Sequence, residues 1–125
     1  MYQSVTIKKL LNEYVEWTKD PEGDSPGFIE FLWIIENEPE KGWKAILAAL
    51  SDNRLQQSLG VIAAGPLEDL LSLHGELFIE RVEKEAKKNP AFAHLLGGVW
   101  QSNMSDDVWE RIQLVWDQSG WDRNA

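Results

Sequence analysis

The sequence predicts an all-α fold: a single domain of about seven to eight short helices packed as helical hairpins, in the manner of HEAT repeats. Three observations predict it. Apolar residues recur at three- and four-residue spacings along most of the chain, which places them on one face of a helix. Proline, glycine and the capping residues Ser, Asp and Asn fall between these periodic stretches, where helices start and stop. No segment alternates apolar and polar residues for long enough to make a half-buried strand.

The first helix runs from Ser4 to about Lys19, with Ile7, Leu10, Leu11, Tyr14 and Trp17 on one stripe. The acidic segment Asp20-Pro21-Glu22-Gly23-Asp24 ends it, since proline and glycine continue a helix only at a cost. Ser25 and Pro26 read as N-cap and first position of a second helix, Phe28 to about Asn37. That helix is apolar nearly all round and is expected to be covered by its neighbours. Pro39 opens a third helix to about Leu50, with Trp43, Ile46, Leu47 and Leu50 inward. A turn at Ser51-Asp52-Asn53 leads to a fourth, Arg54 to Ala63.

The stretch LGVIAAGPLEDLLSLHG, Leu59 to Gly75, reads as the hinge on which the two halves meet. Gly65 is placed as the left-handed residue closing the fourth helix, and Pro66 as the first residue of the fifth. The fifth helix carries Leu67, Leu70, Leu71 and His74 on one side and ends at His74-Gly75. Glu68 and Asp69 lie in its first turn, where the helix dipole favours negative charge. A sixth helix, Glu76 to Lys88, turns Leu77, Phe78, Val82 and Ala86 or Glu85 inward, with Glu80–Lys84 and Glu83–Lys87 as i,i+4 pairs outside. Asn89-Pro90 precedes a seventh, carrying Phe92, Leu95 and Leu96 and loosened by Gly97-Gly98. Ser105 caps an eighth, whose apolar face holds Val108, Trp109, Ile112, Val115 and Trp116. Residues 117–125 are expected to form a loose tail. Leu59-Gly60-Val61 and Leu96-Gly97-Gly98-Val99 stand about 37 residues apart, an offset suited to a helical-hairpin repeat.

Length and charge narrow the function. The 125 residues are 43% apolar and 26% charged, proportions of an ordinary soluble domain with one core. Twenty-one acidic residues against twelve basic ones give a net charge of −9, which argues against neutralising the phosphates of a nucleic acid and favours a basic protein partner. No run approaches the about 20 apolar residues of a membrane-spanning helix. Glu13 and Glu16 interrupt any signal-peptide pattern at the N-terminus. With no cysteine there is no disulfide and no thiolate metal site, and the expected location is the cytoplasm. Seven tryptophans supply buried area, and Trp is also enriched at interface hot spots.

One block carries a resemblance. Gly65 to Leu71 (GPLEDLL), His74-Gly75, Phe78-Ile79 with Arg81, Pro90 with Phe92, and Gly98 to Trp100 (GVW) stand in an order that resembles a bacterial family of small helical proteins known only as a domain of unknown function. The block spans residues 63–112, about two fifths of the chain; the first sixty residues carry no matching motif. The resemblance implies an all-helical fold and a bacterial source. It implies no activity and no catalytic residue.

Concentrated polar chemistry is confined to Glu68, Asp69, His74, Arg81, Glu83 and His94. Glu68 and Asp69 suit a helix start better than an acid–base pair. His74 is placed to cap carbonyls, and His94 has no distinguishing context. Arg81 is expected to reach back to Glu68 or Asp69 as a bidentate tie between helices. The His-Glu-x-x-His zinc helix, the Glu-x-x-His pair of di-iron bundles and the glycine-rich phosphate loop are all missing from the sequence. The reading is therefore a non-enzymatic interaction module, such as an immunity or antitoxin-like protein masking a basic toxin. It has no cofactor, no metal, no nucleic-acid or membrane partner, and a contact surface drawn from Trp100, Trp109, Trp116 and Trp121. The alternatives are a ligand-binding protein or hydrolase with a pocket near His74 and Arg81, or an acidic mimic of nucleic acid.

Overall fold

The computed structural model describes residues 5–121, and every regular element among them is helical. The all-α class read from periodicity is the observed one. Helix α1 (Ile7–Lys19) opens on Thr6, whose hydroxyl accepts from the Lys9 amide at 3.1 Å; Ser4, the expected start, lies outside the described residues. Helix α2 (Gly27–Asn37) follows the acidic turn. The start is one residue later than expected, with Pro26 as N-cap and Gly27 first in the helix; Ser25, one residue outside, accepts from the Gly27 amide, and its hydroxyl also donates to the Glu13 carbonyl at 2.5 Å, tying α2 to α1. Helix α3 (Pro39–Leu50) buries Trp43, Ile46 and Leu50 as read, while Leu47, also expected inward, is only partly buried.

Helix α2 is less enclosed than its sequence suggests. Phe31, Ile34 and Ile35 are buried, but Phe28 and Ile29 are 40% and 47% exposed. Its neighbours α1 and α3 take one side of the helix and leave part of its first turn to solvent, where Trp17 stacks on Phe28 with ring centroids 4.9 Å apart.

The largest departure from the sequence reading is at the supposed hinge. After a 3₁₀ segment (Asn53–Ser58), helix α4 (Leu59–Ile62) does not stop at Gly65-Pro66. It passes through a π-helical turn, Ala63–Leu67, straight into α5 (Glu68–Lys88). Proline in an α-helix loses one hydrogen bond and pushes its ring against the carbonyl four residues back. The wider π turn, with the Glu68 amide reaching the Ala63 carbonyl, accommodates Pro66 without ending the helix. Gly65 accordingly does not take the left-handed conformation; among the described residues only Gly120 and Ser102 have φ in the positive region. His74-Gly75 is likewise a kink and not an end: His74 has φ −134° and ψ 24° inside a helix that resumes at once. Glu68 and Asp69 thus lie within a continuing helical path, not at a free N-terminus. The proposed repeat fails for the same reason, because Leu59-Gly60-Val61 continues a helix while Leu96-Gly97-Gly98-Val99 leaves one.

Helix α6 (Pro90–Leu96) and helix α7 (Asp106–Gln113) pack on α5. Asn89 and Ser105 cap them, accepting from Phe92 and Val108 amides. Gly75 lets α7 come close: a Cβ there would sit 3.2 Å from a Val108 methyl. Leu77, expected inside, is 66% exposed, because the kink turns the start of the second half of α5 and leaves Phe78, Ile79, Val82 and Ala86 as its buried stripe. Glu83 binds Arg111 on α7 (2.6 and 2.9 Å) instead of Lys87. Of the tail expected to be loose, residues 117–121 are held, and residues 122–125 lie outside the described residues. The Asp117 amide donates to the Ala93 carbonyl at 2.9 Å, and the Trp121 indole N–H donates to the His94 carbonyl at 2.7 Å.

Two glycine substitutions discriminate between these readings. Gly65→Ala is expected to be close to neutral: beyond its chain neighbours and its own helix a Cβ there meets nothing within 4 Å, and alanine's gain in helix propensity, up to about 1 kcal/mol, is opposed by the crowding of its Cβ against the ring of Pro66. A left-handed Gly65 would make the same change destabilising. Gly27→Ala should cost roughly 2 kcal/mol or more, because the added methyl collides with the Glu13 carbonyl of α1. Urea unfolding midpoints of both variants give the answer.

Candidate functional site

The kink at His74 opens a cleft of about 390 Å³ on α5, between residues 71–77 and the segment Asn103 to Val108. The His74 side chain helps hold the bend. Its Nε2 lies 3.0 Å from the Ile35 carbonyl in the last turn of α2, and a carbonyl accepts, so Nε2 carries the proton. The histidine therefore caps a carbonyl, as the sequence suggested, but on another helix. Leu73 and Leu77, one turn apart, stand 54% and 66% exposed in the cleft. The Ser72 hydroxyl is buried and has no hydrogen-bond partner. On the far side the Ser105 hydroxyl donates to Glu76 Oε1 at 2.9 Å.

Glu68, Asp69, His74 and Arg81, four of the six polar residues singled out in the sequence, do not converge. Glu68 Oε1 accepts from the Trp100 amide at 2.9 Å, fastening the chain after α6 to α5. Asp69 borders a small hollow with Tyr14, Phe31 and Pro66, and burial, then the charges of Glu68 and Glu36, push its carboxyl up. Arg81 does not reach either acid. It makes a bidentate pair with Glu40 of α3 (2.5 and 2.7 Å), which holds the Glu40 carboxyl below the usual range, and its guanidinium lies 5.0 Å from the Phe78 ring. Two helical turns separate Arg81 from His74, and Arg81 borders a different hollow with Trp43, Lys84 and Lys88. A pocket exists near His74, but Arg81 is not part of it.

The indoles also divide. Trp100 is 54% exposed; Trp109 and Trp116 meet edge to face with centroids 5.3 Å apart; Trp121 is spent on the fold, stacked on His94 and packed against Gly98. Among the described residues no group of three or more His, Cys, Asp or Glu side chains is placed to hold a metal ion. Among the described residues no helix is long and apolar enough to cross a membrane.

A buried acidic contact escaped the sequence reading. Glu30 of α2 is 8% exposed and faces the Glu13 carboxyl of α1, where Glu30 Oε1 and Glu13 Oε2 are both buried without a hydrogen-bond partner; Lys9 stands 3.8 Å from Glu13. Burial, and then Glu13, push the Glu30 carboxyl up to about 7, against the smaller opposing charge of Lys9. The signal was there: Glu30 sits amid Phe28, Ile29 and Phe31 and shares a helix face with Ile34. The Leu73–Leu77 pair was hidden differently, because ending a helix at His74 assigned the two leucines to separate helices.

A family model described as a family of unknown function, DUF6869, matches residues 19–120. The match extends well beyond the block 63–112 and takes in α2 and α3. No curated protein and no solved structure matches the chain.

The Glu30 contact predicts a pH dependence. A carboxyl whose folded pKa is raised contributes stability that is complete below its unfolded value and is lost as pH rises through the folded one. Unfolding free energy is therefore expected to fall from about pH 4.5 through about pH 7. Glu30→Gln should flatten that fall and raise stability at pH 8. Urea titrations at several pH values test it, and an unchanged slope in the variant refutes the assignment.

Proposed function

The chain belongs to DUF6869, a family of unknown function, so its role has to be read from its own surface. From that surface we propose that it is a non-enzymatic protein-interaction module of the bacterial cytoplasm, of the immunity or antitoxin kind, with a basic protein as its partner. The observation that carries this reading is a segregation of charge. From Leu55 to Glu80 and again from Asn89 to Glu110 there is no lysine or arginine, while Glu68, Asp69, Glu76, Glu80, Asp106, Asp107 and Glu110 all fall in these two segments. The two segments meet where α5 packs on α6 and α7. These two segments thus carry a surplus of negative charge without a lysine or arginine of their own, which would steer a basic partner and set its orientation.

The mimic of nucleic acid is less favoured. Such a surface needs a continuous run of unpaired acids, whereas on α1, α3 and the end of α5 acids alternate with lysines, including Lys9–Glu13, Lys41–Glu38 and Lys88–Glu85 pairs. Support for the hydrolase reading is also thin, since the His74 ring is engaged with a backbone carbonyl.

The test is affinity purification of the tagged chain from its source cells at about 50 mM and about 300 mM salt, spanning a range in which screening of surface charge grows strongly. One stoichiometric basic protein is expected at low salt, and its retention should drop on the order of tenfold or more at high salt. Recovery of no protein at low salt would reject the proposal.

A further inference from the structure

The geometry points to the cleft at the α5 kink as the docking groove for a basic amphipathic segment of another protein. That segment would lay an apolar side chain between Leu73 and Leu77 while its lysines or arginines meet Glu76, Glu80 and Asp106. The inference rests on the interaction reading above and adds to it the place and the chemistry of contact.

Two features of the cleft are independent of each other. The first is apolar. Leucines 73 and 77 are i,i+4 neighbours on one helix and both stand more than half exposed, which forms a paired apolar step instead of scattered single residues. The neighbouring turn leaves the Ser72 hydroxyl buried without a partner. The second is electrostatic. Glu76 lies in the cleft wall, Glu80 follows it one turn on, and Asp106 begins α7 beside Ser105, another wall residue. Lys84 stands one turn beyond Glu80, and Arg111 is bound in two hydrogen bonds to Glu83. Glu76 and Asp106 accept from the Ser105 hydroxyl and the Gln101 side-chain amide, neutral donors that leave the charge of both acids in place.

An apolar step bordered by acids is the complement of a helix with leucine-like residues on one face and cations beside them, the helix-in-groove mode of recognition. A volume of about 390 Å³ is at the small end for a ligand pocket, and its apolar groups protrude from the wall instead of enclosing a space. That shape suits the side of a peptide better than a small molecule. The competing apolar surface is Phe28 with Ile29 on α2, and the test includes it.

The probe is a synthetic Lys/Leu amphipathic peptide of about 18 residues, five helical turns, beside a peptide of the same composition with its apolar face scrambled. Amide shifts of the labelled chain report where each binds, and titration at low salt gives affinity. Shifts centred on residues 71–77 and 103–108 are expected, with the scrambled peptide weaker. Leu73→Ser with Leu77→Ser should weaken binding of the amphipathic peptide on the order of tenfold, the effect of removing a buried leucine contact. Phe28→Ser with Ile29→Ser should leave it unchanged. Both pairs are exposed, and unaltered circular dichroism confirms that the fold is kept. Glu76→Gln with Glu80→Gln should reduce the salt dependence. Equal affinity for the Leu73/Leu77 variant, or shifts centred on Phe28 and Ile29, would overturn the groove while leaving a basic partner standing. Absence of binding by either peptide would remove both.

Discussion

The constraint on which the rest of this molecule depends is the unbroken helical path from Leu59 to Lys88. It is continuous only because the π turn at Ala63–Leu67 accommodates Pro66. Every later element is placed against this rod: α6 and α7 pack on α5, while α2 and α3 pack on both α5 and the π turn. A true break at Gly65-Pro66 would have allowed two independent hairpins to move relative to each other. The continuous helix instead puts Leu67, Leu70 and Leu71 into one core with Phe31, Ile35 and Ile46. π turns cost some hydrogen-bond quality, and here the burial of Ala63, Pro66 and Leu67 offsets it.

Around that rod the polar residues act mainly as struts. Arg81 joins α5 to α3, Glu83 joins it to Arg111 of α7, His74 joins it to the end of α2, and Glu68 holds the chain at Trp100. Each strut links segments far apart in sequence, so each fixes an angle between helices. The ion pairs are partly exposed, and pairs of that kind add little to net stability. Their effect is on geometry. The His74 contact matters most for the surface, since it stands at the bend that turns Leu73 and Leu77 outward.

Charge is distributed in two ways with opposite consequences. Glu30 and Glu13 face each other at the α1–α2 contact, where the Tyr14 hydroxyl is also buried without a partner and its phenol is pushed up by burial. These groups weaken the first hairpin as pH rises. On the side formed by α5 to α7 the acids are mostly outward, so their repulsion is relieved by solvent and salt and is open to compensation by a partner.

The helical class, the resemblance to a family of unknown function and most of the buried stripe were legible in the chain alone. Those depend on the period of apolar residues, and on Ser, Asn and Pro acting within one turn of where they stand: Ser105 and Asn89 cap their helices as read, and Phe92, Leu95, Val108 and Ile112 are buried as read. Packing settled the fate of residues whose local preference and global environment disagree. Gly65-Pro66 has the chemistry of a break, yet the free energy of packing a continuous helix against α2 and α3 exceeds the local penalty. Arg81 needed a carboxylate, and which one it found depended on α3 lying alongside α5, a relation that no spacing within residues 68–88 encodes. The exposed leucines followed from the same cause, because a helix bent and not ended at His74 keeps both on one outward face.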